Sequence, residues 1–251
     1  MTSLRPRVRV IDLETAGGGP YDVCEIGWQD VEQDEAGVWR IGDVGVQDVV
    51  DGHRLRRDGA AGIDVALTAL AADAPFWKAI AGDVLRPEGG VLALAAHRAA
   101  FEQRYCAPRF TGGADWICTW KCALRVWPHL PRFSNQMLRY ERMPEGMVHE
   151  LGLPAHRALP DAYVTAHHLR DLLNASSLEQ LIAWSREPGL LPRVSAGPER
   201  GKAWRDLSTD TLLGFMKERD PDVRFSAETE LSRRGEAPAS APKPLAQLKL
   251  I

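Results

Sequence analysis

The chain has 251 residues, 45% hydrophobic and 26% charged, with a net charge of −3. That length buries one sizeable core and leaves enough for a small extra unit, no apolar run is long enough to span a bilayer, and MTSLRPRVRV has no apolar core that would make it a secretory signal. A cytoplasmic protein is expected, and the weak net charge neither announces nor excludes a nucleic-acid partner, since basic patches act locally.

In chain order, Val8, Val10 and Asp12 alternate with Arg9, Ile11 and Leu13, which predicts a strand from Val8 to Glu14. Residues two apart share a face, so Asp12 and Glu14 project together at its C-terminal end. GGGP, Gly17 to Pro20, follows as a turn. Cys24–Val31 and Val38–Val50 read as two more strands, and Arg54–Gly62 as a charged loop. Ile63–Ala81 reads as helix, with Pro75 starting a second segment. Val91–Ala96 is a short apolar run suited to a buried strand, followed by helix over Arg98–Tyr105. Trp116–Cys118 is a short strand and Thr119–Val126 a helix ending before Pro128. Ser134–Arg142 is another helix, with Ser134 as N-cap.

Pro160–Leu173 gives the clearest helical pattern, with Ala162, Ala166, Leu169 and Leu173 on one face and Pro160 in the first turn. Ser176–Glu187 adds one more helix before Pro188 and Pro192. Three strands followed by alternating strand and helix indicate an α/β fold with a mixed sheet. Amphipathic helices at Leu207–Met216 and Phe225–Arg234 form a second, small unit, and the Ala/Pro-rich end reads as a disordered tail. The expected domains are 1–175, a connecting helix and linker over 176–192, the small unit at 193–235 and the tail at 236–251. Cys24, Cys106, Cys118 and Cys122 lack a zinc-site spacing and read as reduced packing residues. The eight Trp, spread along the chain, suit folded structure well past the first half.

Three pieces carry chemistry. Asp12 and Glu14 repel each other, and burying either one unpaired is costly; a hard divalent cation removes that penalty. Glu102 follows the Val91–Ala96 strand. Asp161 lies in the first turn of the clearest helix, where the helix dipole favours a carboxylate, and His156 sits on the loop before it, with a pKa suited to proton transfer. Taken singly, each has an ordinary alternative: a strand end facing water, an exposed helix Glu, an N-terminal Asp beside a surface His. Taken together, they describe a two-metal hydrolase site, with ions roughly 3.5–4 Å apart.

The order D-x-E, then A-H-x-A-x-F-acid, then H-x-A-x-x-D-A resembles the DEDDh 3′–5′ exonucleases. WICTWKCALRVWP (Trp116–Pro128), FSNQMLRY (Phe133–Tyr140), HRALPDAYVTA and ERGKAWRDLSTDTLLGFM (Glu199–Met216) are similar to the exonuclease X-like subgroup. The resemblance covers about residues 7 to 235. It implies a ribonuclease H-like fold: a mixed five-stranded sheet flanked by helices, with a small helical C-terminal unit. It also implies release of nucleoside 5′-monophosphates from DNA 3′ ends, with Mg²⁺ or Mn²⁺, two ions, held by Asp12, Glu14, Glu102 and Asp161 and with His156 as general base. Leu13, Thr15, His97, Arg98 and Phe101 would meet the substrate. The same catalytic residues suit an exoribonuclease, and a weakened module that binds ends is the other alternative.

Three departures from the family pattern stand out. Glu102 replaces the usual Asp and Arg98 the usual Asn, and DVAL, Asp64–Leu67, replaces an H-x-I-T stretch. Arg98 would either grip a phosphate or lower turnover. Arg193, Arg200, Lys202 and Arg205, with Trp204 nearby, suit a single-stranded backbone and a stacked base, and Arg132, Arg139 and Arg142 form a second basic set. The tail ends QLKLI; Gln247, Leu248, Leu250 and Ile251 look like a short peptide that docks on the bacterial sliding clamp. The family also leaves a dimer open.

Overall fold

The computed structural model describes residues 5–16, 23–49 and 77–236. The contacts divide the chain into two units, Met1–Glu187 and Pro188–Ile251. In the first, β1 (Arg7–Thr15), β2 (Val23–Gln33), β3 (Trp39–Asp48), β4 (Ala93–Ala96) and β5 (Trp116–Cys118) form one sheet in the order β3-β2-β1-β4-β5. β1 pairs antiparallel with β2, and β2 with β3; β1 pairs parallel with β4, and β4 with β5. The sheet is therefore mixed, as the strand-then-alternation pattern predicts. β1 is central, and because β1 and β4 run parallel, their C-terminal ends open on the same sheet edge.

Alternation along β1 builds two cores. Val8 and Val10 face one side with Ala93, Ala95 and Ile117, and α5 (Ala158–Ala175) covers that side with Ala162, Ala166, Leu169 and Leu172. Ile11 and Leu13 face the other side, against Ile26, Leu94 and the helix α1 (Trp77–Leu85). Asp12 and Glu14 share the parity of Val8 and Val10, so they emerge on the α5 side. Arg9 has the opposite parity and is buried; its fork donates to Asp30 Oδ1 at 2.7 Å and Oδ2 at 2.8 Å, across the β1–β2 pair.

Gly27 stands opposite Asp12 in the β1–β2 register. A Cβ there would lie 2.3 Å from the backbone of Ala158 and Leu159. The missing side chain thus lets the start of α5 sit against β2. Gly27→Ala is expected to cost roughly 1–3 kcal/mol or more, read in a urea unfolding titration, because the obstacle is backbone and cannot swing away.

The remaining helices of this unit are α2 (Pro108–Thr111), α3 (Thr119–Val126), α4 (Asn135–Arg142) and α6 (Leu178–Arg186). Ser134 occupies the N-cap of α4, but its side chain makes no capping bond; Ser177 does cap α6, accepting from the Gln180 N–H at 3.2 Å. α5 begins two residues before Pro160, whose missing N–H falls in the first turn, where it costs no helical bond. The predicted helix over Arg98–Tyr105 is a turn followed by a single 3₁₀ segment, Glu102–Arg104. Arg98 has φ 63°, a left-handed conformation that no α-helix continues through. Of the predicted Ile63–Ala81 helix, the described part belongs to α1; residues 63–76 and the DVAL stretch lie outside the described residues.

In the second unit, α7 (Thr209–Phe215) is capped by Ser208, and α8 (Pro221–Arg234) by Asp220 with Pro221 at its first position. Val194, Trp204, Leu207, Leu212, Val223, Ala227 and Leu231 form its own core. No helix among the described residues is long and apolar enough to cross a membrane.

Candidate active site

The site lies where β1 ends. Asp12 and Glu14 reach it from the strand and Asp161 from the first turn of α5. A carboxylate oxygen from each of the three lies within 4.8 Å of the others. Glu102, on the turn after β4, stands behind this group and is 3% exposed. Its Oε2 is buried with no hydrogen-bond partner among the described residues.

Crowding and burial set the charge state. Asp12 is pushed well above the usual carboxylate range, first by burial and then by the charges of Glu102, Asp161, Glu14 and Glu25. Burial, then Asp161 and Glu25, push Glu14 up to about 7. Burial is also the main cause at Glu102, pushed up to about 8. Three carboxylates within 4.8 Å of one another, with the charge of Glu102 acting on Asp12, form a hard all-oxygen donor set. That set suits a divalent cation of the magnesium, manganese or calcium kind and offers no soft ligand. The residues present therefore fit the metal that the sequence pattern calls for.

Asp161 is held at both oxygens. The backbone N–H of His156 donates to Oδ2 at 2.9 Å, and Gln136 Nε2 donates to Oδ1 at 2.6 Å. His156 has φ 64° and its side chain is exposed at the rim, close enough for its charge to act on Glu14. The next residue, Arg157, forks onto Glu25, with Nε to Oε2 at 2.9 Å and Nη2 to Oε1 at 3.0 Å. Glu25 is buried on β2 directly opposite Glu14, so this pair ties the His156 loop to the sheet.

Sequence reasoning missed Glu25, Arg157 and Gln136. Strand parity carried a signal for Glu25, which shares the face of Gly27. Nothing local marked Gln136. Arg157→Lys keeps the charge but loses the fork. It is expected to lower kcat roughly tenfold by loosening the His156 loop, with a smaller loss of Mn²⁺ affinity because Gln136 still holds Asp161; steady-state kinetics beside a calorimetric titration reads both.

Several other predicted residues sit elsewhere. Leu13 is buried in the α1-side core, one residue out of phase with Asp12, so its side chain does not face the carboxylates. Thr15 is half-buried at a register shift that ends the β1–β2 pairing. Both ring nitrogens of His97 are engaged inside the protein, with Thr119 Oγ1 at 3.0 Å and the Phe133 carbonyl at 2.9 Å, and burial pushes its pKa down to about 4. These two bonds make His97 a strut between β4, α3 and the Phe133 segment. The Arg98 guanidinium lies over the Trp120 ring, 4.0 Å from its centroid. Phe101 packs on Tyr105, with ring centroids 5.3 Å apart.

Trp204 is core in the second unit: it is 6% exposed, its indole N–H donates to the Leu191 carbonyl at 2.7 Å, and Phe215 packs edge-on against it. It has no face for a base, because the small unit needs its ring as core. Arg193, Arg200 and Lys202 are exposed, with Lys202 paired to Glu199. In the second basic set, Arg139 is buried and Arg142 is bound to Asp171, which leaves Arg132 as the exposed member. Gln247, Leu248, Leu250 and Ile251 lie outside the described residues.

No family model matches the chain. Exodeoxyribonuclease 10 of Escherichia coli strain K12 is 32% identical over 230 residues, covering 85% of this chain and 87% of that protein. The chain belongs to the exonuclease X-like DEDDh family. The same protein from the O6:H1 strain of Escherichia coli gives the same identity and coverage. Among solved structures, exonuclease X in complex with 5′ overhanging duplex DNA is similar at 29% identity and a TM-score of 0.52. That match covers 71% of this chain and 99% of the other. Membership of the exonuclease X-like family makes the chain a hydrolase with a ribonuclease H-like sheet, and its acidic group sits where β1 and α5 meet.

Proposed function

We propose that this protein is a metal-dependent 3′–5′ exodeoxyribonuclease that releases nucleoside 5′-monophosphates from DNA 3′ ends. The observation that carries the reading is the convergence of Asp12, Glu14 and Asp161 within 4.8 Å. The buried Oε2 of Glu102, without a partner among the described residues, supports it. DNA is favoured as substrate because the curated relatives are exodeoxyribonucleases and the similar solved structure is a DNA complex. Such an activity suits repair or proofreading.

Asp12, Glu14, Glu102 and Asp161 would hold the cations. Mg²⁺ or Mn²⁺, as two ions, would supply an activated water and offset charge on the phosphodiester. His156, exposed at the rim, takes the proton from the attacking water. Its backbone is fixed by the bond to Asp161 and by the Arg157–Glu25 fork, so its ring stays near the carboxylates. Asp161 thus has two tasks, as cation ligand and as anchor for the base.

Digestion of a 3′-labelled single-stranded DNA and the matching RNA, with Mg²⁺, with Mn²⁺ and with chelator, tests this beside Asp161→Ala. Metal-dependent mononucleotide release from DNA, lost in the variant, is the expected result. Release from RNA alone would move the protein to RNA processing. Binding of DNA ends without release would make it an end-binding module and overturn the catalytic reading.

A further inference from the structure

Arg139 is the largest fully buried side chain of the described residues, 1% exposed. A buried guanidinium normally faces a carboxylate; among the described residues Arg139 has none in contact. Its donors go instead to His149 Nδ1 at 3.1 Å, the Gly152 carbonyl at 2.7 Å, the His149 carbonyl at 2.6 Å and Gln136 Oε1 at 2.9 Å. The last bond fixes the Gln136 amide. With Oε1 taken by a cation, Nε2 must point the other way, and there it meets Asp161 Oδ1 at 2.6 Å.

The surroundings are built for this placement. A Cβ at Gly152 would lie 2.9 Å from Arg139 Nη1 and 2.6 Å from Val164 Cγ2. Only glycine leaves the guanidinium room. Gln136 and Arg139 are one turn apart on α4, so helix geometry brings both side chains to one face. The nearest negative charge along this hydrogen-bonded chain is Asp161, one amide away.

We propose that Arg139 and Gln136 form a positioning relay for Asp161, in which the buried cation orients and polarises the Gln136 amide and the amide fixes the carboxylate facing Asp12 and Glu14. Neither residue touches substrate. The relay sets how tightly the site takes a divalent cation, because a carboxylate already held in its ligating orientation loses less freedom on binding. The inference rests on the exonuclease reading only in that Asp161 holds a cation.

The test is calorimetric titration of the full chain with MnCl₂ in the absence of DNA, with melting temperature recorded for every variant. Gln136→Leu is expected to weaken Mn²⁺ binding on the order of tenfold in a chain that still folds, with a modestly lower melting temperature because one donor of the buried Arg139 loses its acceptor. Arg139→Met is expected to weaken it through the same route, so the double variant binds no more weakly than Gln136→Leu alone. If Arg139→Met does not fold, Gln136→Leu decides. Asp161→Asn is the control. Wild-type affinity in Gln136→Leu, with binding lost in Asp161→Asn, would overturn the relay and leave the exonuclease reading standing. Absence of Mn²⁺ binding in the wild type would overturn that reading, and the relay with it.

Discussion

Asp12→Asn is expected to lower kcat/KM by on the order of 10³-fold or more and, in chelator, to raise the melting temperature. The two effects share one cause. Asp12 feels the charges of Glu102, Asp161, Glu14 and Glu25 together, on top of its burial. Without a cation the four site carboxylates and Glu25 repel one another in a pocket that water screens poorly, so a neutral amide of the same shape relieves the folded state. With a cation, the same substitution removes a central ligand. Strain of this kind is stored where function needs it. Steady-state kinetics with Mg²⁺ and a thermal melt in chelator check the pair. A lower melting temperature in chelator would mean that Asp12 stabilises the fold by some contact other than through a cation.

The second large effect is on stability as a function of pH. Glu14 and Glu102 titrate at about 7 and about 8 in the folded chain, against about 4.3 for an unfolded Glu. Across that interval the folded state binds more protons, so their contribution is present at low pH and lost as pH rises through 7 and 8. Three histidines act in the opposite sense. Burial lowers His97 and His167 to about 4, and burial also holds His168 well below the ordinary imidazole range. Each is neutral in the fold where the unfolded chain, near 6.5, would be charged. Their contribution is complete above about 6.5 and lost as pH falls toward 4.

Below about pH 6.5 the two sets therefore oppose each other; above it only the carboxylates still titrate. Chelated protein is expected to change little in stability between about pH 5 and 6.5 and to lose stability from there to pH 8. Saturating Mn²⁺ should reverse the upper limb, since a cation binds the ionised carboxylates and becomes a better ligand to the folded state as pH rises. Urea titrations at five pH values, with chelator and with Mn²⁺, give both curves. Parallel curves would mean that these carboxylates do not hold the ion.

The two-residue period of β1 and the order of the acidic motifs were open to sequence reasoning because both are local. Alternation alone puts Asp12 and Glu14 on one face, and it puts Leu13 on the other, where it joins the α1-side core. The apolar stripe of α5 and the dipole at its first turn likewise locate Asp161. The helix expected over Arg98–Tyr105 is a turn and a short 3₁₀ segment instead, and the left-handed Arg98 at its start keeps a helix from beginning there. Trp204 failed as a stacking surface for a different reason. A Trp among basic residues reads the same whether its ring faces solvent or fills a small core, and only packing separates the two.

By itself, then, the sequence determined the mixed α/β architecture, the family and the acidic residues that β1, the turn after β4 and α5 supply. The tertiary structure alone decided which of them meet and what holds them. Glu25 stands opposite Glu14 through strand pairing, and Arg157 reaches Glu25 across 132 positions of chain. Gln136 and Arg139 lie beside Asp161 because α4 packs on α5. Charge and hydrogen bonding act through space over a few ångströms, so the partners of a buried carboxylate are fixed by the packing of elements that local patterns cannot relate.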